Sequence, residues 1–212
     1  TSFNFIALFL PTTVLVYFLV SQFNNNVWNS LVLSVASLMF YGYFSILFLC
    51  LLLFSIFFNY YLSILIQSNL GNRRTNIFYL SILFNLFYLC IFKYTTPLLT
   101  QIDLVSKSDL SQYYIPFFWG VSFFTFQQIT YLIQSYEKQI SENRFWVYLN
   151  FITFFPYILS GPITRYTEIG KTISNLKTLR SKNLLIGISI FGIGLFKKTV
   201  IAENLQDYSN TL

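Results

Sequence analysis

Histidine is absent from all 212 residues. The chain therefore offers no imidazole as general base, nucleophile or metal ligand. Charge is almost as scarce: Asp, Glu, Lys and Arg make up 9% of the residues, against about 25% in soluble domains. So few charges cannot cover a water-facing surface. The two cysteines, Cys50 and Cys90, lie inside apolar runs. That excludes a disulfide framework and a thiolate metal site, and both read as small hydrophobes. No GxGxxG, GxxxxGK[ST], HExxH or CxxC pattern occurs, and no internal repeat. The net charge of +6 sits in short loops between apolar runs. There it sets membrane orientation, which argues against a nucleic-acid partner.

What is present is apolar and aromatic. Hydrophobic residues make up 55% and Phe, Tyr and Trp 21%, with a mean hydropathy of +0.60. Disordered chains have the opposite composition. The apolar runs are long and continuous, unlike the alternation of a membrane barrel. The expected fold is all-α, a polytopic transmembrane helical bundle forming one membrane domain over residues 1–212. The runs are Phe5–Val20 (carrying Pro11), Trp28–Phe40, Ile46–Ile66, Ile77–Tyr94, Ile115–Tyr136, Phe145–Ile163 and Leu184–Phe196. Tyr41-Gly42-Tyr43 suits a bend at the interface, and Thr95–Tyr114 reads as a polar external loop. The first run lacks a basic flank and a cleavage site, so it is a retained helix. Thr1 and Leu212 both read as cuts, which makes the domain incomplete.

Charge placement bears on the sixth run. Arg73-Arg74 assigns its loop to the cytoplasm, and the basic stretch Thr164–Asn183 belongs on the same side. A simple crossing by Phe145–Ile163 would put that stretch outside. Pro156, Gly161 and Pro162 instead predict a re-entrant or broken helix near Pro156–Arg165, the alternative being a full crossing that breaks the positive-inside rule. Broken backbone at that depth requires protein or a cavity to satisfy it, and Pro156–Arg165 is expected to line an internal cavity.

Three segments could carry chemistry. The fifth run holds Ser122, Thr125, Gln127, Gln128, Thr130 and Gln134. Positions 121, 125, 128 and 132 share one helical face, and Gln127 and Gln134 fall on an adjoining stripe. Buried amides there either bond neighbouring helices or, with Tyr131, line a substrate tunnel. Ser160-Gly161-Pro162-Ile163-Thr164-Arg165 combines a backbone break with a guanidinium suited to phosphate or carboxylate. Lys197-Lys198 closes the last run, as a membrane anchor or as a contact for the acyl donor's phosphate.

Several segments together resemble the membrane-bound O-acyltransferase family, in particular its bacterial polysaccharide-modifying branch. Gly120-Val121-Ser122-Phe123-Phe124-Thr125-Phe126-Gln127-Gln128-Ile129-Thr130-Tyr131-Leu132-Ile133 is similar to a family signature. The Asp-x-Tyr-[Arg/Lys] that usually follows is here Gln134-Ser135-Tyr136-Glu137. Phe155–Arg165 resembles F-P-x-[LI]-x-[AS]-G-P-I-x-R, and Gly194–Leu205 resembles G-L-x-K-K-x-[VL]-[IL]-A-[DE]-x-L. Tyr41-Gly42-Tyr43 and Phe92-Lys93-Tyr94 also fit, in order along essentially the whole chain.

The resemblance implies a ring of membrane helices around a thin funnel. It implies transfer of an acyl group, acetyl by preference, to a hydroxyl of a cell-surface polysaccharide in the bacterial cytoplasmic membrane. The co-substrate would be an acyl donor, acyl-CoA or the thioester of an acyl carrier protein, with no bound cofactor and no metal. Gln127, Gln128, Tyr131, Ser160, Gly161, Pro162 and Arg165 become funnel candidates, and Lys197 and Lys198 candidates for the donor side. The family's catalytic histidine lies C-terminal to the matched region. This chain thus looks like an N-terminal part, inactive alone. The rival reading is a transporter or channel subunit using the same broken helix without covalent chemistry. No ionisable residue lies deep in a predicted span, which counts against it.

Overall fold

The computed structural model describes residues 5–23, 26–106, 120–140, 144–157, 161, 163–174, 181–202 and 204–205. These contain eight α-helices and no strand: α1 (Leu10–Ser21), α2 (Asn26–Phe44), α3 (Ile46–Ser68), α4 (Gly71–Ser106), α5 (Val121–Tyr136), α6 (Phe145–Thr153), α7 (Tyr166–Ser174) and α8 (Ser181–Phe196). A π-helical turn, Phe5–Phe9, precedes α1, and another, Lys197–Ala202, extends α8. Three helices are long and apolar enough to cross a bilayer: α3, α4 and α8 with its extension. Phe5–Ser21 and Val27–Tyr43 are shorter apolar helices.

Local sequence explains most boundaries. Pro11 lies inside the continuous helical stretch Phe5–Ser21, where its missing N–H coincides with the change from π-helical turn to α-helix. Ser45 is extended, and its hydroxyl accepts from the Phe48 N–H at 3.4 Å, starting α3. Gly120 caps the start of α5 at φ 75°, a left-handed conformation that favours glycine.

Two expected breaks do not occur. Tyr41-Gly42-Tyr43 does not bend the chain; α2 runs through it to Phe44. Gly42 instead permits a close approach, because a Cβ there would lie 3.1 Å from Leu49 Cδ2 in the first turn of α3. The supposed loop after Tyr94 begins as helix: α4 continues through Pro97 to Ser106. At 36 residues and about 1.5 Å per residue it measures some 54 Å, so it outruns a hydrocarbon core about 30 Å thick. The loop's remainder, from 107, lies outside the described residues, as does the first part of the fifth run.

α5 is the axis of the bundle. It packs on α4, α3, α6 and α7, and nine of its side chains are buried, among them Gln127, Gln128 and Gln134. The core around it is aromatic, with Tyr41, Phe124, Tyr131, Tyr148 and Phe151 almost wholly enclosed. Cys50 and Cys90 are free and exposed on the apolar exterior. Among the described residues α8 touches only its own π-helical extension, and none of its spanning window is buried.

α6 ends where its sequence says it must. Pro156 disfavours helical backbone at the preceding residue, and the helix stops at Thr153, with Phe154 at ψ 109°. Nine residues reach about 14 Å, roughly half the hydrocarbon core. α6 starts beside the end of α5, after the 137–144 connection. The Thr167 N–H then donates to Gln134 Oε1 at 3.1 Å, seating the first turn of α7 on the last turn of α5. The start of α7 thus returns to the end of α5 beside which α6 began, the geometry of a re-entrant hairpin. Arg74 joins α4 to that face by donating to the Tyr136 carbonyl and lying 4.9 Å over its ring. Thr75 Oγ1 meets Tyr136 Oη at 3.2 Å. Arg73, Arg74, Lys138, Arg144 and Arg165 all lie at this end, against Glu137 and Glu168.

Candidate functional site: a re-entrant hairpin against the polar faces of α5

The two polar stripes of α5 face different partners. One meets α3 and α4. Gln128 Oε1 accepts from Ser55 Oγ at 2.8 Å and from Asn59 Nδ2 at 3.0 Å. Asn59 and Asn85 pair through both amides, at 3.2 and 2.6 Å. The four side chains are at most 1% exposed. This is an interhelical clamp near the middle of α3. Such bonds in membranes average about 0.6 kcal/mol and reach about 1.7. Asn59 makes several at once, and its removal strands partners in a dry interior. Asn59→Leu is therefore expected to cost about 2 kcal/mol, read by reversible unfolding in bicelles. A loss below about 0.5 kcal/mol would show the clamp to be dispensable.

The other stripe holds the re-entrant hairpin. Gln127 Nε2 donates to the Phe151 carbonyl at 2.9 Å, satisfying an acceptor at the broken end of α6. Tyr131 packs on Tyr148, ring centroids 4.2 Å apart, and edge-on to Tyr166 at 4.9 Å. Tyr166 in turn meets Phe151 at 5.4 Å. From the opposite side α2 presents Ser30, Ser34, Ser37 and Tyr41, all buried. Asn150 Nδ2 donates to Ser30 Oγ at 2.6 Å and to the Ser30 carbonyl at 3.0 Å. The Phe155 N–H donates to Ser37 Oγ at 3.2 Å. Protein side chains thus satisfy the break at Phe154–Phe155, as bilayer depth demands.

The hairpin's return is held by Gly161. Its N–H donates to the Tyr157 carbonyl at 2.9 Å, and a Cβ there would stand 2.7 Å from Tyr157 Cα and Cβ. Arg165 is exposed at the start of α7, its carbonyl accepting from the Glu168 and Ile169 N–H groups. Ser160 and Pro162 lie outside the described residues. The structure brings Gln127, Tyr131 and Gly161 to one re-entrant element and turns Gln128 away from it toward α3. Lys197 and Lys198 are exposed on the extension of α8, apart from this cluster.

Several buried polar atoms here have no hydrogen-bond partner among the described residues: Gln127 Oε1, Asn150 Oδ1, Asn29 Oδ1, Tyr148 Oη and Thr125 Oγ1. Three of the five accept only. An unpaired acceptor in a dry interior costs about 1–3 kcal/mol. Among the described residues no cluster of Asp, Glu or Cys can hold a metal.

Sequence reasoning missed Asn59, Asn85, Asn150, Tyr148 and the α2 serines. Their signal was available: lone amides inside apolar runs, and Ser30-Ser34-Ser37-Tyr41 at helical spacing.

Comparison with known proteins gives concordant relatives. The chain is 33% identical to the peptidoglycan O-acetyltransferase of Helicobacter pylori, over 97% of its own length and 45% of that protein. It is 27% identical to the probable alginate O-acetylase AlgI of Pseudomonas aeruginosa, over 95% of the chain and 39% of the relative. A teichoic acid D-alanyltransferase of Lacticaseibacillus rhamnosus is 28% identical over 48% of the chain and 22% of its own length. The chain spans less than half the length of these relatives. No family model and no solved structure matches it.

Proposed function

The chain belongs to the membrane-bound O-acyltransferase family, and on that footing we propose that it is the hydroxyl-guiding part of an enzyme that acylates a cell-surface polysaccharide. The transferred group in this reading is acetyl. The donor is a thioester, acyl-CoA or acyl carrier protein, approaching from the cytoplasmic face. By the positive-inside rule that is the face bearing Arg73, Arg74, Lys138, Arg144 and Arg165. The membrane would be the bacterial inner membrane.

The observation that carries this reading is the re-entrant hairpin itself. It sets the broken backbone after Thr153 against Gln127 and Tyr131 and leaves buried acceptors without donors among the described residues. Acceptors without donors suit a sugar hydroxyl: Gln127 Oε1 or Asn150 Oδ1 takes its proton in a hydrogen bond and orients its oxygen. Gly161 shapes the turn and Arg165 stands at its return, and Ser160 and Pro162 are funnel candidates on the family resemblance alone. Lys197 and Lys198 are a second candidate contact for donor phosphate.

None of these groups can accept the hydroxyl proton as a base near neutral pH. With no histidine in the chain, the base belongs to another polypeptide segment. The direct test is genetic. Disrupting the gene that encodes this chain should remove base-labile ester acetate from the envelope polysaccharide, measured as acetate released by mild alkali. Unchanged ester acetate would refute the proposal.

A further inference from the structure

Helices α1 and α2 form a hairpin with an open apolar groove along one side, with a volume of about 570 Å³. Phe9 of the π-helical turn and Thr12 and Val20 of α1 line it on one side, and Trp28, Ala36 and Met39 of α2 on the other. Two threonines, Thr12 and Thr13, are among its lining residues, and Thr12 Oγ1 donates back toward the preceding turn, 2.7 Å from the Leu8 carbonyl and 3.0 Å from that of Phe9. The other lining side chains are apolar or aromatic, so the groove presents mostly carbon.

Its dimensions name an occupant. From Val20 to Phe9 the helical rise is about 16 Å, close to half of a hydrocarbon core about 30 Å thick. One end lies at the α1–α2 connection, beside Trp28, which is 57% exposed and at the level where interfacial tryptophans sit. That end shares the basic face, because Ser30 bonds Asn150 near the start of α6 while Ser37 bonds Phe155 deeper in. The other end is closed by Phe9, whose ring meets Phe155 edge-on at 5.3 Å and Phe40 at 5.5 Å. Phe155 is the residue whose N–H is held by Ser37 at the break of the re-entrant hairpin. A slot one leaflet deep, wet at one end and apolar to the other, has the shape of a single hydrocarbon chain.

We propose that this groove binds one acyl chain of a phospholipid from the leaflet on the basic face, with its terminal carbons against Phe9. The bound chain then backs the Phe9–Phe155 contact and so supports the re-entrant turn from the lipid side. This rests only on membrane embedding and is independent of the acyl-transfer reading.

The test is photo-crosslinking of the chain in vesicles of phosphatidylglycerol and phosphatidylethanolamine. The vesicles carry a phosphatidylcholine with a diazirine near the end of one palmitoyl-length chain. Adducts are mapped by mass spectrometry. The expected result is at least fivefold enrichment at Met39, Val35 and Val16 over equally exposed outer residues of α3 and α4, such as Phe54 and Leu83. Ala36→Phe, which fills the slot, should erase that enrichment and leave labelling of Phe54 and Leu83 unchanged. Uniform labelling of wild type, or chain-to-chain adducts in the groove, would overturn the proposal; so would enrichment that survives in a folded Ala36→Phe protein.

Discussion

Purified and reconstituted by itself, the 212-residue chain is expected to transfer no acyl group to a polysaccharide hydroxyl above the rate seen with empty vesicles. The reasoning is chemical. Forming an ester from an alcohol and a thioester requires a proton to leave the alcohol as the carbonyl carbon is attacked. A positioned base contributes about 10²–10⁴-fold to such a step. The buried groups around the hairpin are amides, hydroxyls and phenols, and the charged groups of that region lie at its exposed end. Positioning can survive in such a site while proton transfer cannot. Release of labelled acetyl ester on a soluble polysaccharide acceptor is the readout. Turnover by this chain alone would show that a group here acts as base.

The second large effect concerns the hairpin's return. Gly161→Ala is expected to cost about 2–3 kcal/mol, because overpacking against fixed backbone is relieved only by moving it. A Cβ at 161 meets Tyr157 Cα and Cβ at 2.7 Å, not the far end of a flexible side chain. In a chain of this size that corresponds to a fall in Tm of roughly 5–10 °C. Gly187→Ala is the matched control. Nothing lies within 4 Å of its Cβ position in α8, and alanine favours helix over glycine. Thermal denaturation in detergent should separate the two variants. Equal Tm values would mean that the turn is not tightly packed around Gly161.

Much of this was legible in the chain. The all-helical membrane class follows from continuous apolar runs and scarce charge. The α3 boundaries follow from a serine cap and a full-length run. The early end of α6 follows from Pro156. Two segments misled for the same physical reason. Gly42 and the polar residues after Tyr94 are locally helix-disfavouring, yet in long helices the flanking hydrogen bonds outweigh weak positions, and at Gly42 packing against Leu49 rewards the missing side chain. Periodicity also told which residues of α5 share a face without telling which neighbour each face meets. Gln127 and Gln128 are adjacent in sequence, but one satisfies the end of α6 and the other clamps α3 and α4. Only the three-dimensional arrangement separates those roles.

The most direct test of the whole account is the sidedness of α7 relative to the α5–α6 connection. Single cysteines at Gln139 and Thr172, both exposed, would be introduced with Cys50 and Cys90 replaced by serine, and Tyr43→Cys would report the opposite face. In sealed, oriented vesicles a membrane-impermeant maleimide should label positions 139 and 172 from the same side and position 43 from the other. Labelling of 139 and 172 from opposite sides would mean that the segment from Phe145 crosses the bilayer, and the re-entrant site would fall with it.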